Sequence, residues 1–172
     1  EAYLSLNKKF DFIVDIQGDE PMISPYHIDQ VIEFHKKNAD FDIILPTLKV
    51  KNPNSQNLIK VVANKKNEVM YLSRAKIPFE FKNNCKVFKK HLSIISFKPE
   101  ALIKFSKSKQ TPLEKVEDIE LLRALEIGLR IKTIDLEGDS FSVDDYEDYL
   151  KAKDLMNKDK VFKIYKRKWK IK

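Results

Sequence analysis

The sequence predicts an α/β fold: a mixed, mostly parallel sheet flanked by helices, with an antiparallel β insertion. Three observations carry that prediction. Short apolar runs bounded by Gly, Pro or Asn recur along the chain and read as buried strands. Amphipathic stretches with helix-start signals lie between several of them. The middle of the chain is richer in strand signals than in helix signals and holds a hairpin signature. Strands alternating with helices make a parallel sheet the default expectation.

The first run, Phe10-Asp11-Phe12-Ile13-Val14-Asp15-Ile16, reads as a buried strand that stops at Gln17-Gly18-Asp19-Glu20-Pro21. Ser24-Pro25 opens a helix, with Ser as N-cap and Pro at the first helical position. Ile28, Val31, Ile32 and His35 recur on one face of it. Phe41 to Thr47 reads as a strand near a sheet edge, because Pro46 cannot donate to a ladder. Ile59–Ala63 and Val69–Ser73 flank the turn Asn64-Lys65-Lys66-Asn67 and predict a hairpin. A strand over about 90–97 precedes a short helix from Pro99. Thr111-Pro112-Leu113-Glu114 is a capping box. It opens one helix through Val116, Ile119, Leu122, Leu125 and Ile127, which Gly128 ends. Arg130 to Ile134 reads as a strand and Asp144 to Met156 as a last helix.

At 172 residues the chain fits one domain with a sizeable core, here residues 1–157. The β insertion falls at about 75–98, and a basic tail covers 158–172. No apolar run is long enough to span a bilayer, so no stable membrane insertion is expected. Cys85 is the only cysteine, which excludes an intrachain disulfide and favours a reducing, cytoplasmic setting. The net charge of +7 is not a property of the whole. Residues 158–172 hold eight Lys/Arg against one Asp, a local +7, so the rest sums to zero. Such a tail can touch phosphates or anionic lipid. As a charge run it reads first as a solvated terminus, and the neutral body argues against nucleic acid as a partner.

Two adjacent carboxylates, Asp19 and Glu20, stand where the first strand ends, and open α/β sheets bind ligands outside the carboxyl ends of their strands. Asp19 suits a metal ligand as readily as an Asx-type turn before Pro21. Gly18 permits a positive φ or a close backbone approach. Arg74, after the strand ending in Ser73, suits bidentate capture of a carboxylate or phosphate, or a surface ion pair. Lys60 inside an apolar strand suits an edge side chain reaching for solvent. His91 in a strand is a hydrogen-bonding candidate. Asp144 is a helix N-cap with Glu147 three residues on, a role compatible with ligation because a carboxylate has several lone-pair sites.

Five segments in order resemble the CMP-sugar-acid synthetases, and most of all the CMP-KDO synthetase (3-deoxy-manno-octulosonate cytidylyltransferase) family. They are Gln17-Gly18-Asp19-Glu20-Pro21; Ile59-Lys60-Val61-Val62; Tyr71 to Phe79 with Ser73-Arg74-Ala75; Lys90-His91-Leu92 with Glu114, Glu117, Glu120 and Arg123; and Val143-Asp144 with Glu147-Asp148. The resemblance runs from residue 10 to about 156, the last two thirds of such an enzyme. It implies a nucleotide-diphospho-sugar transferase-like fold. It also implies transfer of CMP from CTP to a sugar acid, 3-deoxy-manno-octulosonate or a relative, with release of pyrophosphate, in lipopolysaccharide or surface-sugar biosynthesis. On that reading Asp19 and Asp144 are catalytic and hold Mg²⁺, while Gln17, Arg74, His91 and Glu120 bind substrate. Glu20 is structural, and Arg123 is the partner of Glu120. The partners are CTP and the sugar acid, and a homodimer forms through the insertion.

The chain departs from the family pattern at Ser93, Ile95 and Leu121, where Gly, Tyr and Gln are usual. These positions are expected near the sugar pocket, where a lost amide and phenol change selectivity. At position 145 Asp replaces the usual Thr. The Gly/Arg/Lys-containing loop that grips triphosphate in such enzymes has no counterpart, because Gly18, Gly128 and Gly138 are the only glycines and no GxGxxG or Walker pattern occurs. The expectation is therefore either an N-terminally truncated chain, with an exposed apolar edge, or a chain whose first part a separate polypeptide supplies. The alternative is a catalytically incomplete fragment, or a non-catalytic binding or assembly subunit of the same fold.

Overall fold

Apolar runs become strands and capped amphipathic runs become helices in the computed structural model, which describes residues 2–6, 8–50 and 52–169. In chain order the elements are α1 (Ala2–Ser5), β1 (Ile13–Ile16), α2 (Pro25–Lys37), β2 (Ile43–Val50), β3 (Lys60–Ala63), β4 (Val69–Ser73), β5 (Phe88–His91) and β6 (Ile94–Phe97). There follow α3 (Pro99–Lys107), α4 (Pro112–Glu117), α5 (Glu120–Glu126), β7 (Ile131–Asp135), α6 (Tyr146–Lys158) and α7 (Lys160–Trp169). Two compact units result. The larger comprises Glu1–Ile16 and Pro25–Gly138, and the smaller Gln17–Ser24 and Asp139–Lys172.

The larger unit carries a seven-stranded sheet with the path β1-β6-β2-β5-β3-β4, and β7 beside β2. The α/β class holds, but the expectation of a mostly parallel sheet does not. Among the described strands only β2 and β7 pair in parallel, and the other pairings are antiparallel. The reason is a strand from later in the chain. β1, α2 and β2 form a crossover whose strands run the same way, as the sequence alternation implies. β6 then slots between them, with Phe97 opposite both Ile13 and Ile43. Among the described strands β1 pairs with β6 alone, and Ile16 is exposed.

Pro46 does not mark an edge. It lies buried in β2, which has partners on both sides: Thr47 faces His91 of β5 and Asp135 of β7. The missing donor falls where β5 gives way to β6. Leu92 donates its N–H to the Pro46 carbonyl at 2.9 Å. The Leu92 carbonyl, which a residue with an N–H at position 46 would use, accepts instead from Ile94 N–H at 2.6 Å. The break that splits the expected 90–97 strand into β5 and β6 is thus what admits a proline into a central strand.

The hairpin forms as expected. Asn67 takes a positive φ of 61°, and Asn64 Oδ1 accepts from the N–H groups of Lys66 and Glu68. The single helix expected from Pro112 to Ile127 is two helices, because Asp118 adopts the left-handed conformation at φ 54°. Gly128 ends α5 at φ 78°, as expected. Ile43, Leu45, Leu72, Ile95, Phe97, Leu121, Leu122 and Ile131 are the heart of the core. α2 lays Val31 and the buried His35 against the sheet. The His35 ring bridges Ser96 Oγ at 2.7 Å and the Phe41 carbonyl at 3.2 Å, and sits 4.1 Å from the Phe12 ring.

Candidate functional site

The smaller unit holds the carboxylates singled out at the end of the first strand. Val143 donates its N–H to the Asp19 carbonyl at 2.8 Å, which brings the segment bearing Asp144 alongside the segment bearing Asp19. Both side chains are exposed. Glu20 faces the other way: it is buried and accepts from Ser140 Oγ at 2.8 Å. Alternation along the 19–20 dipeptide thus gives one outward carboxylate and one that staples the turn to the 139–145 segment. Gly18 does not use a positive φ, contrary to one of its two expected roles, and a Cβ there would meet nothing within 4 Å. Gln17 is half-buried at the start of this unit.

The N-cap of α6 is Asp145, not Asp144. Asp145 Oδ1 accepts from Asp148 N–H at 2.9 Å. The residue that departs from the family pattern therefore takes the capping work expected of its neighbour, while Asp144 donates only its backbone N–H, to Asp148 Oδ2 at 3.3 Å. Two exposed carboxylates on joined segments are an oxygen-only donor pair of the kind Mg²⁺ uses, since that ion keeps waters and phosphate oxygens in its shell. Among the described residues no group of three or more His, Cys, Asp or Glu is placed to hold a metal ion. Asp19 and Asp144 therefore do not form an all-protein cage.

The larger unit gathers Arg74, His91 and Glu120 at one end of the sheet. Lys60 pairs with Ser73 on one side and Lys90 on the other, so Arg74 and His91 leave β4 and β5 at the same level. His91 is half-buried and gives its N–H to the Ile59 carbonyl at 3.1 Å. Arg74 reaches over the junction of α4 and α5. Its Nε donates to the Glu117 carbonyl at 3.0 Å, Nη1 to the Gln56 carbonyl at 3.2 Å and Nη2 to the Asp118 carbonyl at 3.2 Å. The Asp118 carboxylate lies 3.9 Å from Nη2. At least three of the five guanidinium donors are thus spent on main chain. Arg74 fixes the left-handed break at Asp118 and thereby the start of α5, where Glu120 is exposed.

Glu117 has a role that its sequence spacing does not reveal. Its carboxylate accepts from Ser73 Oγ at 2.6 Å and from Arg74 N–H at 3.0 Å, tying α4 to the end of β4. The Glu114, Glu117 and Glu120 spacing reads as a solvated stripe, and only tertiary pairing separates their roles. Arg123 pairs with Glu114, not Glu120: Nη2 donates to Oε1 at 2.8 Å, with Glu114 3% exposed. Arg123 Nη1 also reaches the Ser108 carbonyl, and its guanidinium stacks 4.2 Å from the Phe105 ring.

Lys60 is no edge residue. It is fully buried, and its ammonium donates to the carbonyls of Ser55 (2.7 Å), Leu58 (2.6 Å) and Arg74. Burial lowers its pKa below the usual lysine range. Ile95 and Leu121, two of the departures from the family pattern, are core residues. Ser93 is buried as well. Asp135 closes a second network, accepting from Thr47 Oγ1 and Lys89 Nζ, each at 2.7 Å. Burial pushes its pKa up, but those two donors outweigh it and the net direction is down.

Comparison with known proteins bears on this geometry. The family model described as cytidylyltransferase matches residues 1–134. A 3-deoxy-manno-octulosonate cytidylyltransferase of Fusobacterium nucleatum is 37% identical over 145 residues, covering 81% of this chain and 58% of that protein. The mitochondrial 3-deoxy-manno-octulosonate cytidylyltransferase of Arabidopsis thaliana is 34% identical over 161 residues, covering 91% of this chain and 56% of that one. This chain thus spans less than three fifths of the curated relatives it matches. A solved structure of CMP:2-keto-3-deoxy-manno-octonic acid synthetase complexed with CTP superposes with a TM-score of 0.84 at 23% identity, covering 91% of this chain and 66% of that one. That likeness establishes the shared fold.

Proposed function

Because the chain belongs to the cytidylyltransferase family, we propose that it provides the carboxylate and sugar-binding part of a 3-deoxy-manno-octulosonate cytidylyltransferase. The reaction joins the anomeric hydroxyl of the sugar acid to the α-phosphorus of CTP and releases pyrophosphate. The CMP-sugar formed is an activated donor suited to surface-sugar assembly. The observation that carries this reading is the Val143 N–H to Asp19 carbonyl bond, which joins the two segments whose carboxylates the chemistry needs.

Phosphoryl-type transfer asks the protein mainly for charge neutralisation and in-line positioning. Asp19 and Asp144 would hold Mg²⁺, which when bound supplies neutralisation of the phosphate oxygens. Glu20 contributes by anchoring the turn through Ser140. Arg74, His91 and Glu120, with Gln17, are assigned to substrate, and the sugar carboxylate is the natural partner of the remaining Arg74 donors. Phe79 and Phe81, 82% and 84% exposed, support a homodimer through the 75–98 region. A cytoplasmic setting fits the free thiol of Cys85.

The test is pyrophosphate release from CTP and 3-deoxy-manno-octulosonate with Mg²⁺, using the chain together with the N-terminal segment of a relative. Asp19→Asn and Asp144→Asn should each lower turnover by about a hundredfold or more, as loss of a charge-stabilising group does. Activity unchanged in both variants would overturn the metal assignment.

A further inference from the structure

The segment that reads as a solvated basic tail is a folded helix with two separated faces. Asp159 caps it: its carboxylate accepts from Phe162 N–H at 2.6 Å, while its own N–H closes the last turn of α6. Along α7 the spacing places Lys160, Lys163, Lys166 and Arg167 on one side of the helix. Val161, Phe162, Ile164 and Tyr165 fall on the other, with Lys168 alone among them. Val161 and Phe162 are half-buried, whereas Ile164 is 65% exposed and Tyr165 51%. A helix that merely solubilised a terminus would have no use for an apolar face held open to water.

We propose that α7 is an interfacial anchor that lies flat on an anionic phospholipid surface. Ile164 and Tyr165 enter the headgroup boundary, and the flanking lysines and Arg167 rest among the lipid phosphates. Both faces are satisfied at once in that position, because long cationic side chains bend toward the headgroups while their stems cover apolar surface. Charge complementarity selects an anionic membrane. Residues 158–172 carry the entire net +7 of the chain, so its net positive charge is concentrated on this segment. Nucleic acid fits less well, since the apolar side faces away from the cations and the rest of the chain is neutral. None of the described helices is long and apolar enough to cross a bilayer.

The experiment is co-sedimentation of the full chain with vesicles of equal parts phosphatidylcholine and phosphatidylglycerol, and with phosphatidylcholine alone. Pelleting is expected with the anionic vesicles only, and should weaken as salt rises. Lys166→Gln and Arg167→Gln should each weaken binding about fivefold. Lys166→Arg should keep it. The pair Ile164→Gln and Tyr165→Gln, at exposed positions and unchanged charge, should also release the chain. No pelleting at low salt would overturn the proposal. So would full binding by the Ile164→Gln/Tyr165→Gln chain, which would reduce the contact to adsorption of charge. Preference for an oligonucleotide over the vesicles, or loss of a dimer in the apolar variant without any vesicle binding, would also overturn it by identifying another occupant. Every readout is independent of cytidylyl transfer.

Discussion

Asp144 and Asp145 have the same side chain, and it is Asp145 whose carboxylate caps α6. Asp145→Ala should cost about 1 kcal/mol of stability in a thermal melt, the usual loss for an N-cap. Asp144→Asn should leave the melt unchanged while pyrophosphate release collapses. The reverse pattern would exchange the two assignments. Lys60 gives a second prediction at this scale. Lys60→Met strands three carbonyls that the ammonium now serves, so urea denaturation should show a loss of about 3 kcal/mol or more. A loss below ~1 kcal/mol would mean that the three carbonyls find other partners. Nothing in the local sequence around Lys60 forecasts this. A lysine in an apolar strand looks the same whether it reaches water or is ringed by main chain.

Elements were legible where local chemistry alone decides them. Ser24-Pro25 started a helix, Asn64 to Asn67 turned a hairpin and Gly128 ended α5 as read. They were not legible where a distant group intervenes. The helix from Pro112 breaks at Asp118, where Arg74, just past the end of β4, takes the carbonyls of Glu117 and Asp118. The strand at 90–97 breaks opposite Pro46 of its partner strand, where Leu92 N–H meets the Pro46 carbonyl. α2 depends on a third such contact, the His35 ring between Ser96 and the Phe41 carbonyl. Burial chiefly lowers the His35 pKa, with the Phe41 carbonyl opposing. The folded state therefore binds its proton less readily than the unfolded chain, whose histidines titrate near ~6.5. Below that pH the unfolded state takes up more protons, so stability falls as pH falls. Urea midpoints measured from pH 7.5 down to pH 5 should decline, and His35→Gln should flatten that decline. An equal slope in the variant would remove His35 from the account.

For the whole molecule, the exposed pair Phe79 and Phe81 predicts self-association. Phe79→Ser with Phe81→Ser should shift the chain toward monomer in sedimentation velocity, with the melt little changed. An unaltered sedimentation coefficient would remove this surface from the interface. Residue identity and short spacing were enough for the α/β class and the family. The tertiary structure decided the sheet's direction, which carboxylate caps and which stays outward, and which acid Arg123 meets. Those outcomes depend on which distant strand or side chain pairs with an open hydrogen-bonding edge, and no local pattern encodes that pairing. β6 between β1 and β2, Arg74 over Asp118, and Val143 on Asp19 are three instances of the same cause.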